Sequence, residues 1–153
     1  MEGLCTLHAI GYQAAFLLRN APLTGEFVDI EIGLRVDALG DRALFRSTTL
    51  ISKKDLLRLV AHLEHHMDEL REHPDHESSL FVPLELGFQL QASAGEFVTP
   101  KDGAFTLRLM VNVGDNNSET RVYVGCEGSV TFDAVRTFIT NIKQALQRAE
   151  CSQ

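Results

Sequence analysis

Five histidines lie within fifteen residues of one another, and their spacing could support metal chemistry. They are His62, His65, His66, His73 and His76. His62 and His66 are one helical turn apart, a spacing that lets two imidazoles bind one metal ion. The HExxH order of zinc proteases is absent, because the chain reads His62-Leu63-Glu64-His65-His66.

The helical periodicity of this stretch places His62, His66 and Glu69 opposite the apolar face, and therefore in solvent. A metal site needs surrounding groups that orient its ligands, and a solvated face lacks them. We therefore predict no metal and no cofactor. Replacing both histidines with glutamine should cost less than about 0.5 kcal/mol. The alternative is a small metal-dependent enzyme that uses the His62–His76 cluster.

Cys126 is the other candidate for chemistry, because Gly125-Cys126-Glu127-Gly128-Ser129 has the form of a nucleophile loop. Cys126 follows Val122 and Val124 at every second position, which places its thiol on the same apolar face of the strand. No histidine is near it in sequence. A buried cysteine that behaves as a small hydrophobe is therefore predicted. The sequence has no GxSxG, Walker loop or GxGxxG motif. We predict no catalytic residues and no enzyme.

Composition narrows the class of protein. The 153 residues and 17.0 kDa fit one domain. A net charge of -7 and a pI near 5.3 oppose nucleic-acid binding, which requires clustered Lys and Arg. The longest apolar run, Ala14–Leu18, is far shorter than the roughly 20 residues of a membrane helix. Cys5, Cys126 and Cys151 form no CxxC pair, so reduced thiols and a cytoplasmic location are predicted.

The negative charge is concentrated in one stretch, from Ala61 to Ser79, whose only Lys or Arg residue is Arg71. Its acids are Glu64, Asp68, Glu69, Glu72, Asp75 and Glu77. Such a surface suits a basic protein partner, because complementary charge speeds encounter. Our candidate partner-binding residues are Glu64, Asp68, Glu69, Asp75 and Glu77. The alternative is that these acids only keep a helix soluble.

The first half of the chain indicates strands followed by a helix. Strict alternation from Phe27 to Asp37 predicts a half-buried strand, 38–41 a turn, and 42–51 a returning strand. Ser52 has the position of a helix cap, and Pro74 forbids continuation, so a helix over 53–72 is predicted. Its apolar face comprises Leu56, Leu59, Val60, Leu63, Met67 and Leu70. Residues 4–20 fit either a strand bent at Gly11 or an Ala-rich helix, and we favour the strand, which would cover a sheet edge.

The second half repeats this order. Strands are predicted over 84–91, 105–113 and 122–126, with a connection over 93–103 and a turn over 114–118. Thr131 can cap a final helix over 132–149. Its apolar face comprises Val135, Phe138, Ile139, Ile142, Leu146 and Ala149, which is the first face shifted by 79 positions. This match predicts an internal pseudo-repeat of about 4–72 and 80–149.

These elements predict an α+β fold in one domain, 1–153. It is a mainly antiparallel sheet with two helices packed on one face, built as tandem βββα units.

The layout resembles the WapI-type immunity proteins of bacterial toxin systems. The similarity lies in the hairpin 27–51, the Ser-capped helix with Asp55-Leu56-Leu57-Arg58-Leu59-Val60, and the segment Phe81-Val82-Pro83-Leu84-Glu85-Leu86-Gly87-Phe88. The resemblance implies a non-enzymatic bacterial protein of the cytoplasm that binds and blocks a cognate toxin. A protein-binding module is therefore the leading hypothesis. Beside the metal enzyme, the rival is a self-associating scaffold or homodimer whose sheet face pairs with a second copy.

Overall fold

The computed structural model describes residues 2–20, 25–42, 44–114 and 121–151. Seven strands and two helices follow one another in the described chain. They are β1 (Glu2–Ala9), β2 (Tyr12–Asn20), β3 (Phe27–Val36), β4 (Leu44–Ser52), α1 (Lys53–Glu69), β5 (Phe88–Thr99), β6 (Asp102–Asn112), β7 (Tyr123–Thr131) and α2 (Phe132–Cys151). A 3-10 segment, Asp37–Arg42, occupies the predicted turn between β3 and β4. The predicted turn at 115–118 and the side chains of Ala149 and Cys151 lie outside the described residues.

The strands form two antiparallel sheets, with orders β1-β2-β3-β4 and β5-β6-β7. The α+β class with antiparallel strands is therefore confirmed. The strands divide between two sheets, and four strands precede α1 where a βββα unit has three. Neither described helix is long and apolar enough to cross a membrane.

One apolar core joins both sheets and both helices. Phe16 of β2 contacts Phe88 of β5 and Phe138 of α2, with ring centroids 5.2 and 5.1 Å apart. The buried Tyr12 hydroxyl donates to the carbonyl of Leu107 in β6, at 2.8 Å, so its polar atom is satisfied inside the core. Because these contacts cross between the sheets, the two halves of the chain form one packed body.

Residues 4–20 are extended, as favoured, but the single bent strand is wrong. The chain turns at Ile10 and Gly11 and returns, so that Ala9 pairs with Tyr12 and Cys5 with Phe16. Gly11 has a φ of 91°, which only glycine adopts without strain. The predicted bend is therefore a hairpin turn. The first strand of the hairpin forms the sheet edge, and α2 lies alongside it.

Both predicted helix starts are confirmed. Ser52 Oγ accepts the Asp55 N–H at 3.0 Å, and Thr131 Oγ1 accepts the Ala134 N–H at 3.1 Å. The end predicted near residue 72 is three residues too late, because α1 ends at Glu69 and Leu70 forms its C-cap. The buried Leu70 anchors the following turns to the core, and the chain changes direction there before Pro74 is reached.

Several strand boundaries in the second half are wrong: β6 starts at Asp102 rather than 105, β7 runs to Thr131 rather than 126, and both ends of β5 differ. The segment 84–87 is a turn in which Leu86 has a φ of 59°, and β5 starts only at Phe88. The predicted connection over 93–103 is mostly strand, since β5 runs to Thr99. Irregular pairing between Ser93 and Gly95, and again between Phe97 and Thr99, breaks the alternation by which a strand is recognised.

Candidate functional site

The acidic stretch occupies the C-terminal part of α1 and the beginning of a long crossing segment. We call residues 70–87, which connect α1 to β5, the strap. Asp68, Glu72, Asp75 and Glu77 are exposed, and Glu64 and Glu69 are partly exposed. Glu72, which is absent from the predicted binding set, is as accessible as the acids within it. The structure therefore brings all six carboxylates to the surface.

The carboxylates differ in how they are engaged. Glu64 pairs with Lys143 of α2 at 2.9 Å, and Glu77 accepts a hydrogen bond from Gln91 at 3.2 Å. Glu69 lies 3.9 Å from the His65 ring nitrogen. Within the described ranges, the carboxylates of Asp68, Glu72 and Asp75 have no ion pair or hydrogen bond. These three are thus the acids whose charge is most available to a partner.

Arg71, the only Lys or Arg of the stretch 61–79, contacts an aromatic ring. Arg71 is exposed, and its guanidinium lies over the Phe97 ring, 5.0 Å from the centroid. That contact directs it toward β5.

The prediction that the histidine face of α1 lies in solvent is wrong for His66. This residue is 0% exposed, and His62 is half-buried. His66 follows Leu59 by seven positions, about two helical turns, and so lies on the same face of α1 as the core leucines. The helical period itself places His66 there, so the angular assignment from sequence was in error. Its replacement with glutamine is no longer a surface change.

The imidazole of His66 sits among rings. Phe105 of β6 is 4.8 Å away between centroids, His76 of the strap is 5.2 Å away, and His76 is 6.2 Å from His65. Both ring nitrogens of His66 are buried without a hydrogen-bond partner in the described chain. Burial, and then the neighbouring histidines, lower the pKa of His66 to about 4. The ring is therefore neutral at neutral pH.

His62 and Ser78 form a close pair that could be mistaken for a catalytic dyad. His62 Nε2 is 3.2 Å from Ser78 Oγ. The hydroxyl donates its one hydrogen to the carbonyl of Ser79 at 2.9 Å and accepts the Ala92 N–H at 2.9 Å. With the hydroxyl hydrogen on the Ser79 carbonyl, only the His62 tautomer that donates to Oγ fits this contact, whereas a general base accepts the hydroxyl hydrogen. The pair fastens the strap to α1 and β5.

Neither this part of the molecule nor the rest of the described ranges contains a group of side chains placed to bind a metal ion. Nowhere among those residues do three or more His, Cys, Asp or Glu side chains lie where they could hold one ion. The alternative of a metal-dependent enzyme is therefore left without a ligand group in the described chain.

The two described cysteines are protonated at neutral pH. Burial raises the pKa of Cys5 to about 11. Burial, and then the charge of Asp37, also raises the pKa of Cys126. Cys126 packs against the core as predicted, but it is half-buried rather than buried. A protonated thiol is a weak nucleophile, so neither residue is prepared for covalent catalysis.

The outer face of the first sheet bears on self-association. Exposed leucines occur there, but Leu44 is paired across strands with Arg35, and Leu50 with Asp29. The apolar side chains are therefore interleaved with charged ones, unlike a continuous apolar patch.

Comparisons of the chain with protein-family models, with curated proteins and with solved structures found no match.

Proposed function

We propose that this chain is a non-enzymatic, cytoplasmic protein-binding module for a basic protein, in the manner of a bacterial immunity protein that blocks its toxin. The observation that carries the proposal is the set of exposed, unpaired carboxylates formed by Asp68, Glu72 and Asp75. The layout that resembles WapI-type immunity proteins supplies the biological setting.

Electrostatics favours such a partner. The stretch 61–79 has six acids against one arginine, and half of the acids are unengaged in the described chain. A concentrated field of one sign steers an oppositely charged protein and raises the association rate. Because the screening length is about 8 Å at physiological ionic strength, this steering should be strongest at low salt and weaken as salt is added.

Partner capture with two matched variants tests the proposal. The first variant reverses the unpaired acids, as Asp68→Lys, Glu72→Lys and Asp75→Lys. The second reverses three exposed acids elsewhere, as Asp37→Lys, Glu96→Lys and Asp102→Lys, and so has the same net charge. Native lysate is passed over each immobilised protein and over the wild type, and bound proteins are identified by mass spectrometry.

We expect a basic protein that binds the wild type and the second variant and is lost from the first. Equal retention of the basic protein on all three immobilised proteins would show that the acidic surface does not contribute to binding. Loss from both variants would mean that net charge, and no particular surface, governs capture. Turnover of a small molecule without any protein partner would contradict the proposal itself.

A further inference from the structure

The strap lies across α1 and along the outer edge of β5, where it acts as an additional partial strand. Its backbone bonds to β5 join Ser78 N–H to Ala92 O (2.8 Å), Phe81 N–H to Leu90 O (2.7 Å), Leu90 N–H to Phe81 O (3.0 Å) and Gly95 N–H to Pro74 O (2.8 Å). An uncovered strand edge presents unpaired N–H and C=O groups that can pair with another chain. The strap therefore controls access to the edge of β5.

Histidines fill the contact between the strap and α1. His76 of the strap packs against His66 with its ring tilted and approaches His65, whereas His62 contacts Ser78 and Phe81. The charged groups beside them are Arg58, whose guanidinium lies over Phe81, and Glu69, which faces His65.

The third element packed on His66 is β6, which presents the uncharged ring of Phe105. Neither ring nitrogen of His66 is hydrogen-bonded to a carboxylate or to any other group in the described chain. A proton placed there would meet only neighbouring imidazoles and an apolar wall.

We propose that the strap is an acid-released cover, which leaves α1 and frees the edge of β5 when the histidines beneath it take up protons. In the closed form, burial and then the surrounding histidines hold the pKa of His66 near 4, against an ordinary value of 6.5. Burial, followed by the charges of His65 and Arg58, also lowers the pKa of His62. Release exposes these rings to water, where they bind protons more readily.

The sign and size of the effect follow from linkage. A group whose pKa is lowered in the closed form stabilises that form fully above its ordinary value of 6.5, and this stability is lost as the pH falls from 6.5 toward 4. Between pH 7.5 and pH 5.5, His66 alone should raise the open population about tenfold.

Amide hydrogen exchange on the whole chain tests this inference. Protection factors at pH 7.5 and 5.5, corrected for the intrinsic pH dependence of exchange, are compared at the amides of Ser78, Phe81, Leu90 and Gly95. We expect these protection factors to fall about tenfold at the lower pH. Amides in the β2–β3 ladder should stay more strongly protected than these amides at both pH values, because they exchange only when the core opens.

Two variants identify the responsible group. His66→Phe keeps a ring of similar shape against Phe105 but cannot titrate, so the drop in protection should disappear or shrink severalfold. His73→Gln removes an exposed histidine from the same strap and should leave the drop unchanged.

If His66→Phe does not fold, the wild-type measurement still decides. Unchanged protection of the strap, or strap protection factors equal to those of the β2–β3 ladder at pH 5.5, would overturn the inference. A drop that persists undiminished in folded His66→Phe would overturn it as well.

Discussion

The two helices of this domain begin alike and are covered differently. Ser52 and Thr131 cap α1 and α2 with the same hydrogen bond, and Leu63 and Ile142 occupy equivalent positions on their buried faces. The shift of 79 positions also takes β4 onto β7, and it takes His66 of α1 onto Ala145 of α2.

The equivalent flanks show why the helices differ. On α2, strand β1 approaches so closely that a Cβ added to Gly3 would lie 2.7 Å from the Cβ of Ala145. Only small residues allow that approach. On α1, the strap is the cover, and polar side chains fasten it: Asp55 accepts the Leu84 N–H at 3.0 Å, and Arg58 donates to the Val82 carbonyl at 2.8 Å. Thus α2 packs against β1 through small apolar residues, whereas α1 is held to the strap by charged side chains.

The largest expected effect tests what the helices share. Leu63→Ala and Ile142→Ala should each lower the free energy of unfolding by about 2–5 kcal/mol, because both side chains are fully buried in mid-helix. Urea denaturation measures the loss. Leu57→Ala, at a half-exposed position on α1, is the control and should cost much less. A cost near zero at either buried position would mean that this helix does not pack as described.

The pH dependence of stability should separate the two helices. His66 has its pKa lowered to about 4, so the folded state loses stability as the pH falls from 6.5 toward that value. At one pKa unit per 1.36 kcal/mol, the full contribution is up to about 3 kcal/mol.

His66→Phe should reduce the loss measured by urea denaturation between pH 7 and pH 4.5. An Ala145→Ser change at the equivalent position of α2 should leave that loss as it is. Identical pH profiles for the wild type and His66→Phe would contradict the assigned role of the imidazole.

A smaller effect is expected at the helix starts. Asp55→Ala removes the acceptor of the Leu84 N–H and the partner of Arg58, 3.1 Å away, and should cost about 1–3 kcal/mol. Asp133→Ala removes an exposed acid from the first turn of α2 and should cost about 0.3–1 kcal/mol through the helix dipole. Equal losses in thermal or urea denaturation would show that the Asp55 carboxylate does not anchor the strap.

Local patterns explain which parts of this fold could be predicted. The strand from Phe27 alternates strictly because one face is buried and the other is wet, and the caps were found because their bonds span three residues. The strap is set by contacts distant in sequence, such as the Asp55 carboxylate with the Leu84 N–H, and no short window contains them. The burial of His66 could have been found from sequence, since its spacing from Leu59 follows the helical period. The acidic surface was found because surface charge is read directly from composition.

The association rate with the captured partner decides whether the acidic surface guides binding. Asp68→Lys with Asp75→Lys changes the local charge by four units at two unpaired, exposed sites, and Glu96→Lys with Asp102→Lys makes the same change on another surface. Rates are measured by stopped flow at low salt and again at ~0.15 M, where the screening length is about 8 Å. We expect the rate to fall more than about tenfold at low salt for the first pair only, and this difference from the wild type to shrink as salt rises. An unchanged rate for the first pair at low salt, with the fold intact, would contradict it.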